Sequence, residues 1–456
     1  MPPLRNILLV NPWIFDFTAY DFWMRPLGLL SVGAVIKRIP GVRVDMIDCL
    51  DRNTFSGSER RRGRPDGRGA YLRQEVRKPD ILFHVPRRYS RYGILPEEFI
   101  RKLDRFPSPD AVLMTCTMTY WYPGVQMAVD LLRKKWGSVP IILGGIYATL
   151  LPDHARRFSG ADVVVEGRGE NRIGPLLAEI LGLPSNLLQQ YPSMDSLPFP
   201  AVELMRDRSA VALLTSRGCP FHCSYCAGPK LNPEFEQRSV ERVMNEIEST
   251  YQHFGTRHFA FYDDALLMNR DDHILPLFRT LLKKKLPVYF HMPNGLHIRE
   301  IDEKVAEIFF RAGVQSIYLS QESFSSSILR KSGGKVEKND LKNALMLLEK
   351  AGFLRKRLNV YLLCGLPGQS ITRLKEDILT VHHLGGRVRL SYFSPVPGTK
   401  EWDRLRKSGV IQKDFDPLIS NKVAFPYLGG GISGSDFEEL MRFVARLYPS
   451  STANRL

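Results

Sequence analysis

SRGCPFHCSYCAGP, residues 216–229, holds Cys219, Cys223 and Cys226, half of the chain's six cysteines within eight positions. The run before it, VALLT (211–215), is apolar and of buried-strand type. The thiols therefore follow directly on a strand's carboxyl end. Thiolates favour soft metals, zinc or iron–sulfur. Structural zinc takes four protein ligands. His222 is the near candidate for a fourth, but it lies between two of the cysteines and would have to fold back. An iron–sulfur cubane takes a thiolate on each iron, so three would leave one iron open to an exogenous ligand. Three buried cysteines without metal are the remaining alternative.

Downstream, apolar runs recur at HFAFY (258–262), PVYFH (287–291), QSIYLS (315–320), NVYLL (359–363) and VRLSYF (388–393). Helical stretches such as 239–254 and 338–353 separate them. Six strands with right-handed crossovers predict a partial (β/α)6, TIM-like barrel, open because a full barrel needs two more repeats. Its cofactors are expected at the strands' carboxyl ends.

Upstream, strands at 6–10, 42–48, 111–117, 139–145 and 161–167 alternate with helical segments. This predicts an α/β, doubly wound, Rossmann-like parallel sheet. Ligands of such sheets lie beyond the strands' carboxyl ends. Asn11, the Thr115-Cys116-Thr117 run and the Gly144-Gly145 pair mark three such ends. The expected organisation is a first domain over 1–189, a proline-rich linker over 190–208, a barrel over 209–405 and a short helical extension over 406–456. A capping box from Ser435 to Glu438 is expected to open the last helix.

The chain has 456 residues, 44% hydrophobic and 25% charged, with no run of 18 uncharged apolar residues. No spanning helix and no signal peptide are expected, which points to the cytoplasm. Cys49, Cys116 and Cys364 then read as free buried thiols. Of the net charge of +16, residues 51–92 supply twelve Lys/Arg against five Asp/Glu. That insertion reads as a solvated loop, with contact to an anionic ligand, substrate or membrane surface as the alternative. No zinc-finger or RNA-binding motif accompanies it, so no nucleic-acid partner is expected.

The cysteine spacing, with Tyr225 before the last thiol and a strand before the first, resembles the radical S-adenosylmethionine (SAM) superfamily. FYDDA (261–265), LSQESF (319–324), GLPGQS (365–370) and FSPVPGT (393–399) stand where that family's later motifs stand. The resemblance implies that Cys219, Cys223 and Cys226 ligate a [4Fe–4S] cluster. It implies that Tyr225, Asp263, Asp264, Glu322, Gly365 and Pro367 border SAM, with Glu322 at the ribose. Asp263 and Asp264 replace the commoner Gly-Gly-Glu wording; capping of the next segment is their bland alternative. The chemistry implied is reductive cleavage of SAM to a 5′-deoxyadenosyl radical that abstracts hydrogen from a substrate.

The first half, through VNP, PLGL, LGGIYATLLPDHA and ADVVVEGRGE, resembles the cobalamin-binding domain often joined ahead of such barrels. It implies cobalamin near Asn11, Thr115, Thr117, Tyr120, Trp121, Gly144, Gly145 and Glu166. No Asp-x-His-x-x-Gly occurs there, so no histidine ligand to cobalt is expected. Tyr120, Trp121 and Tyr122 are either corrin neighbours or ordinary core aromatics.

The activity implied is methylation of an unactivated carbon through methylcobalamin, on a small-molecule or lipid-like substrate, with flavodoxin or ferredoxin as electron donor. Oxidative cyclisation or rearrangement without methyl transfer is one alternative. A zinc-bearing nucleic-acid-binding protein is a lesser one.

Overall fold

The computed structural model describes residues 4–54, 63–184, 188–331, 333–337, 339–412, 414–429 and 431–449. The chain divides into two compact units, one running to Val211 and the other from Ala212.

The first unit is built on five parallel strands. They are β1 (Arg5–Asn11), β3 (Val42–Asp48), β6 (Ala111–Thr115), β7 (Ile141–Gly144) and β8 (Val163–Val164), in the spatial order β3-β1-β6-β7-β8. The sheet is α/β and Rossmann-like, as its alternation of strands and helices predicts. β1 and β6 are almost wholly buried and read as continuous apolar runs, because helices cover both faces. Leu9, Ile36, Leu113, Ile142 and Leu177 lie in one core with the helices Leu27–Ile36 and Ile173–Leu181. β8 is only two residues long, shorter than its apolar run suggests.

Three short strands were not legible in the sequence: β2 (Ile14–Asp16), β4 (Arg73–Glu75) and β5 (Ser90–Tyr92). They form an antiparallel sheet of their own, in the order β2-β5-β4. The solvated-loop reading of 51–92 is corrected accordingly. Part of that basic segment is sheet, and part of its charge is spent internally. Arg25 and Arg52 converge on Asp21 at 2.8 Å each, and Arg52 also reaches Asp207 at 3.4 Å. All four are largely or wholly buried, and two guanidiniums balance two carboxylates, which offsets their desolvation. Residues 55–62 of the insertion lie outside the described residues. The 190–208 segment packs into the first unit, with Tyr191, Met194, Ala201, Val202 and Met205 buried.

The sheet of the second unit has six parallel strands: β9 (Ala210–Leu213), which begins at the boundary between the units, β12 (His258–Phe261), β13 (Tyr289–His297), β14 (Val314–Glu322), β15 (Asn359–Cys364) and β16 (Arg387–Tyr392). Their order is sequential from β9 to β16, as an open barrel requires. A two-stranded ribbon, β10 (Ser216–Arg217) with β11 (Glu236–Gln237), brackets the cysteine loop. The last helix, Gly434–Leu447, opens on a capping box of Ser433 and Asp436. The expected Ser435–Glu438 box is therefore two residues late; Ser433 has the extended backbone that an N-cap needs. Cys49, Cys116 and Cys364 are buried and unpaired, as expected. Among the described residues no helix is long and apolar enough to cross a membrane.

Candidate functional site

The cysteine loop leaves β9 through β10, and several elements fix it. Asp263, at the end of β12, accepts from the Thr215 N–H at 3.1 Å, the Thr215 Oγ1 hydroxyl at 2.6 Å and the Ser216 Oγ hydroxyl at 2.7 Å. Burial raises its carboxyl pKa, and these donors work against that rise. Its carboxylate thus ties the loop's entry to the neighbouring strand. Asp264 instead stands exposed, with hydrogen bonds from the Asn232 side chain and the Gly218 backbone. The two adjacent carboxylates have separate duties.

The loop's centre is held from the far end of the barrel. Ser224 donates its hydroxyl to Glu401 Oε1 at 2.7 Å, and the Glu401 N–H donates to Ser224 O at 2.9 Å. Glu401 is 1% exposed, at the start of the helix Lys400–Lys407. The Ser224 N–H donates to Lys331 O at 2.9 Å. Tyr225 packs against Ile328, Leu363, Phe393 and Trp402. Phe221 stacks on His297 at 4.6 Å, with the planes 11° apart.

Burial raises all three thiols, Cys223 to about 11. Lys335 lowers all three in turn. Its ammonium is buried against Glu322 Oε1 at 2.8 Å. Burial opposes that charge, but Glu322 and the sulfurs of Cys223 and Cys219 outweigh burial and hold the lysine above its ordinary range. Glu322 ends β14 with φ 65°, a left-handed backbone rare outside glycine. A register shift in the β14–β15 pairing between Ser320 and Glu322 produces the bend. Asp377 fixes the next residues, accepting from Ser323 Oγ at 2.6 Å and the Phe324 N–H at 3.1 Å. After β15, Gly365 turns at φ 91°, and Gln369 closes the turn on Leu366 N–H and Leu363 O. The Pro367 carbonyl accepts from Lys331 Nζ at 3.2 Å.

The sequence reading missed Lys335, His297 and Glu401. Lys335 lies on a loop, His297 ends β13 and Glu401 sits in the first turn of a helix, and only the fold brings them to the cysteines. His297 is neutral: burial, with Lys335 and Arg299 nearby, lowers its pKa to about 4.

At the first sheet's carboxyl edge, Asn11 pairs in register with Asp48, and Thr115 with Gly144. Asn11 Nδ2 donates to Asp48 Oδ1 at 2.7 Å, and burial raises the Asp48 carboxyl to about 6. A Cβ on Gly144 would have only Val165 O near it, at 3.9 Å. Gly145, at φ 91°, is needed for packing instead: a Cβ there would meet Thr115 Oγ1 at 2.6 Å. Thr117 is half-buried beside them.

Two aromatics are core or sheet ties. Tyr120 is 3% exposed, and Trp121 Nε1 donates to Asp16 Oδ2 at 2.7 Å. Tyr122 stacks on Tyr147. Glu166 is half-buried and ion-paired with Arg156.

The radical SAM superfamily matches residues 213–381, and the B12 binding domain matches residues 70–176. It is a radical SAM enzyme with a B12-binding domain. An uncharacterised methyltransferase of Pyrococcus horikoshii is 24% identical, over 67% of this chain and 70% of its own. The cytidylyl-2-hydroxyethylphosphonate methyltransferase of Streptomyces wedmorensis is 22% identical, over 90% of this chain and 83% of its own. Among solved structures, the methyltransferase TsrM of Kitasatospora setae, with cobalamin and a [4Fe–4S] cluster bound, aligns at TM-score 0.67. That alignment has 16% identity and covers 99% of this chain and 92% of TsrM. The cobalamin-dependent radical enzyme OxsB aligns at 0.62, with 14% identity, over 97% of this chain and 67% of OxsB. These likenesses extend over both domains and show the fold.

The donor chemistry of the radical SAM domain fits its cluster. Among the described residues no three His, Cys, Asp or Glu gather to hold one metal ion, and His222 is exposed. A cubane makes no such demand, since each thiolate takes a separate iron. The B12-binding domain offers its cofactor room in turn at Gly144, where a Cβ would have only Val165 O near it, at 3.9 Å.

Proposed function

We propose that the protein is a cobalamin-dependent radical SAM methyltransferase acting on an unactivated carbon of a small-molecule or lipid-like substrate. When bound, cluster and SAM would supply hydrogen abstraction, and cobalamin would supply a transferable methyl group. Cys219, Cys223 and Cys226 would hold the cluster. Tyr225, Asp264, Glu322, Gly365 and Pro367 would border SAM, and Asp263 would position the loop. Thr115, Thr117, Gly144 and Gly145, with Asn11, would receive cobalamin. Glu322 would serve the ribose, since a carboxylate accepts two hydroxyl hydrogen bonds. Exclusion of water falls to the apolar packing around Tyr225.

One observation carries the reading: three thiols at a barrel strand's carboxyl end, in a chain that also contains a B12-binding domain. Anaerobic reconstitution with iron, sulfide, SAM, reductant and cobalamin tests it. The expected result is a brown protein that takes up corrin, cleaves SAM and yields a product heavier by one methylene. Cluster formation without corrin uptake would remove the methyl-transfer half.

A second reading has a specific support. The anaerobic magnesium-protoporphyrin IX monomethyl ester cyclase of Rubrivivax gelatinosus is 25% identical over 62% of this chain. A product lighter by two hydrogens would favour ring closure. Reduced flavodoxin or ferredoxin is the expected electron donor, tested by replacing the chemical reductant.

A further inference from the structure

The end of the second unit's sheet opposite the cysteine loop takes no part in that site. The parallel strands place there the entry loops 255–257 before β12, 285–288 before β13, 312–313 before β14, 351–358 before β15 and 384–386 before β16. Contacts join these loops into a belt. The Tyr289 N–H donates to Arg257 O at 2.7 Å, the Phe310 and Phe353 rings meet edge-on at 5.3 Å, and Arg355 Nη1 donates to Leu384 O at 3.0 Å.

Three large apolar side chains stand in solvent on this belt. Tyr289 is 38% exposed, Phe310 48% and Leu354 52%. The belt also carries surplus positive charge. Glu248, Glu307 and Glu349 each already hold a cation: Lys284 at 2.6 Å, Arg311 at 3.5 Å and Arg355 at 2.7 Å. Arg257, Lys283, Lys285, Lys356 and Arg357 are exposed and have no carboxylate partner among the described residues. Beside the belt, between the helices Ile274–Lys284 and Glu303–Arg311, runs a groove of about 420 Å³ that adds Arg279 and Lys304.

We propose that this end of the barrel is a docking face for an anionic lipid surface. Phe310 and Leu354 would enter the headgroup layer, and Lys285, Lys356 and Arg357 would lie against lipid phosphates. The unpartnered cations select an anionic surface. The standing Phe and Leu select one with hydrocarbon just beneath its charge, and a bilayer of acidic lipids offers both. Attachment is peripheral, since among the described residues no helix can cross.

Co-sedimentation of the full chain with vesicles tests the proposal. One set is phosphatidylcholine alone; the other includes phosphatidylglycerol. The wild type is expected on the anionic vesicles only, and release is expected as salt rises from about 0.1 to about 0.5 M. The double variant Lys356→Glu, Arg357→Glu, shown folded by its melting curve, is expected to bind at least about tenfold more weakly. Leu354→Ser is expected to weaken binding severalfold with the charge intact. Arg77→Glu with Arg88→Glu, exposed in the first unit, is expected to change nothing. Equal binding by the Lys356/Arg357 variant, or loss only in the Arg77/Arg88 variant, would overturn the assignment. So would retention on an acidic protein column with no vesicle binding, which would make the partner a soluble anionic protein.

Discussion

The first sheet leaves one strand end at its carboxyl edge, Gly144, without a side chain; the second meets its own edge with sulfur, carboxylate and ammonium. Gly144 leaves backbone open at the first edge, while Gly145 packs against Thr115. At the second, Asp263, Glu322 and Glu401 are buried, Lys335 is half-buried, and each is committed to a partner. The difference separates two ways of making a site. A broad ligand can be received by removing side chains from a strand end. A small, charged one needs side chains held rigidly by others.

The most damaging test of this contrast is at the thiols. Replacing any one of Cys219, Cys223 or Cys226 by Ala is expected to abolish SAM cleavage and the brown colour, read by iron content and visible absorbance. Corrin uptake by the first unit should survive. Loss of both would show that the two edges are not independent.

Next comes the buried pair of the second edge. Lys335→Ala strands the Glu322 carboxylate and is expected to cost about 3 kcal/mol in denaturant unfolding. Lys335→Arg should recover much of it.

The first edge gives a smaller and divided response. Gly145→Ala forces a side chain onto Thr115 at positive φ, and is expected to destabilise by about 2 kcal/mol. Gly144→Ala has room and should leave the melting temperature unchanged while reducing cobalamin uptake. Unchanged uptake would move the corrin site away from β7.

A further expected effect is one of pH, and it has opposite signs in the two units. His297 titrates at about 4 when folded against 6.5 unfolded. Its contribution is complete above pH 6.5 and is lost as pH falls towards 4. Asp48 titrates at about 6 when folded against 3.8 unfolded. Its contribution is complete below pH 3.8 and is lost as pH rises towards 6. Hydrogen exchange on peptides from each unit, compared with His297→Gln and Asp48→Asn, reads the two slopes separately.

What could be read beforehand follows from the same division. The six barrel strands and the main sheet of the first unit were legible because each is a continuous apolar run between helix signals. The three cysteines were legible because one loop supplies them all. Lys335, His297 and Glu401 were not, since nothing in a lone lysine or glutamate says which strand end it will reach. The β2-β5-β4 sheet was hidden because its strands are three residues long, and β4 is polar and exposed. Asp263 was located, but the donors that claim it lie 47 and 48 residues earlier.

Glu322 carries one last implication. Its φ of 65° is a posture that glycine adopts freely and that a residue with a Cβ resists. Two truncations of the same carboxylate should therefore part company. Glu322→Gly ought to melt later than Glu322→Ala by an amount near 1 kcal/mol, because both lose the ion pair and only one relaxes the chain. If so, the wild-type residue is kept at some loss of durability, which marks the position as selected for recognition over robustness.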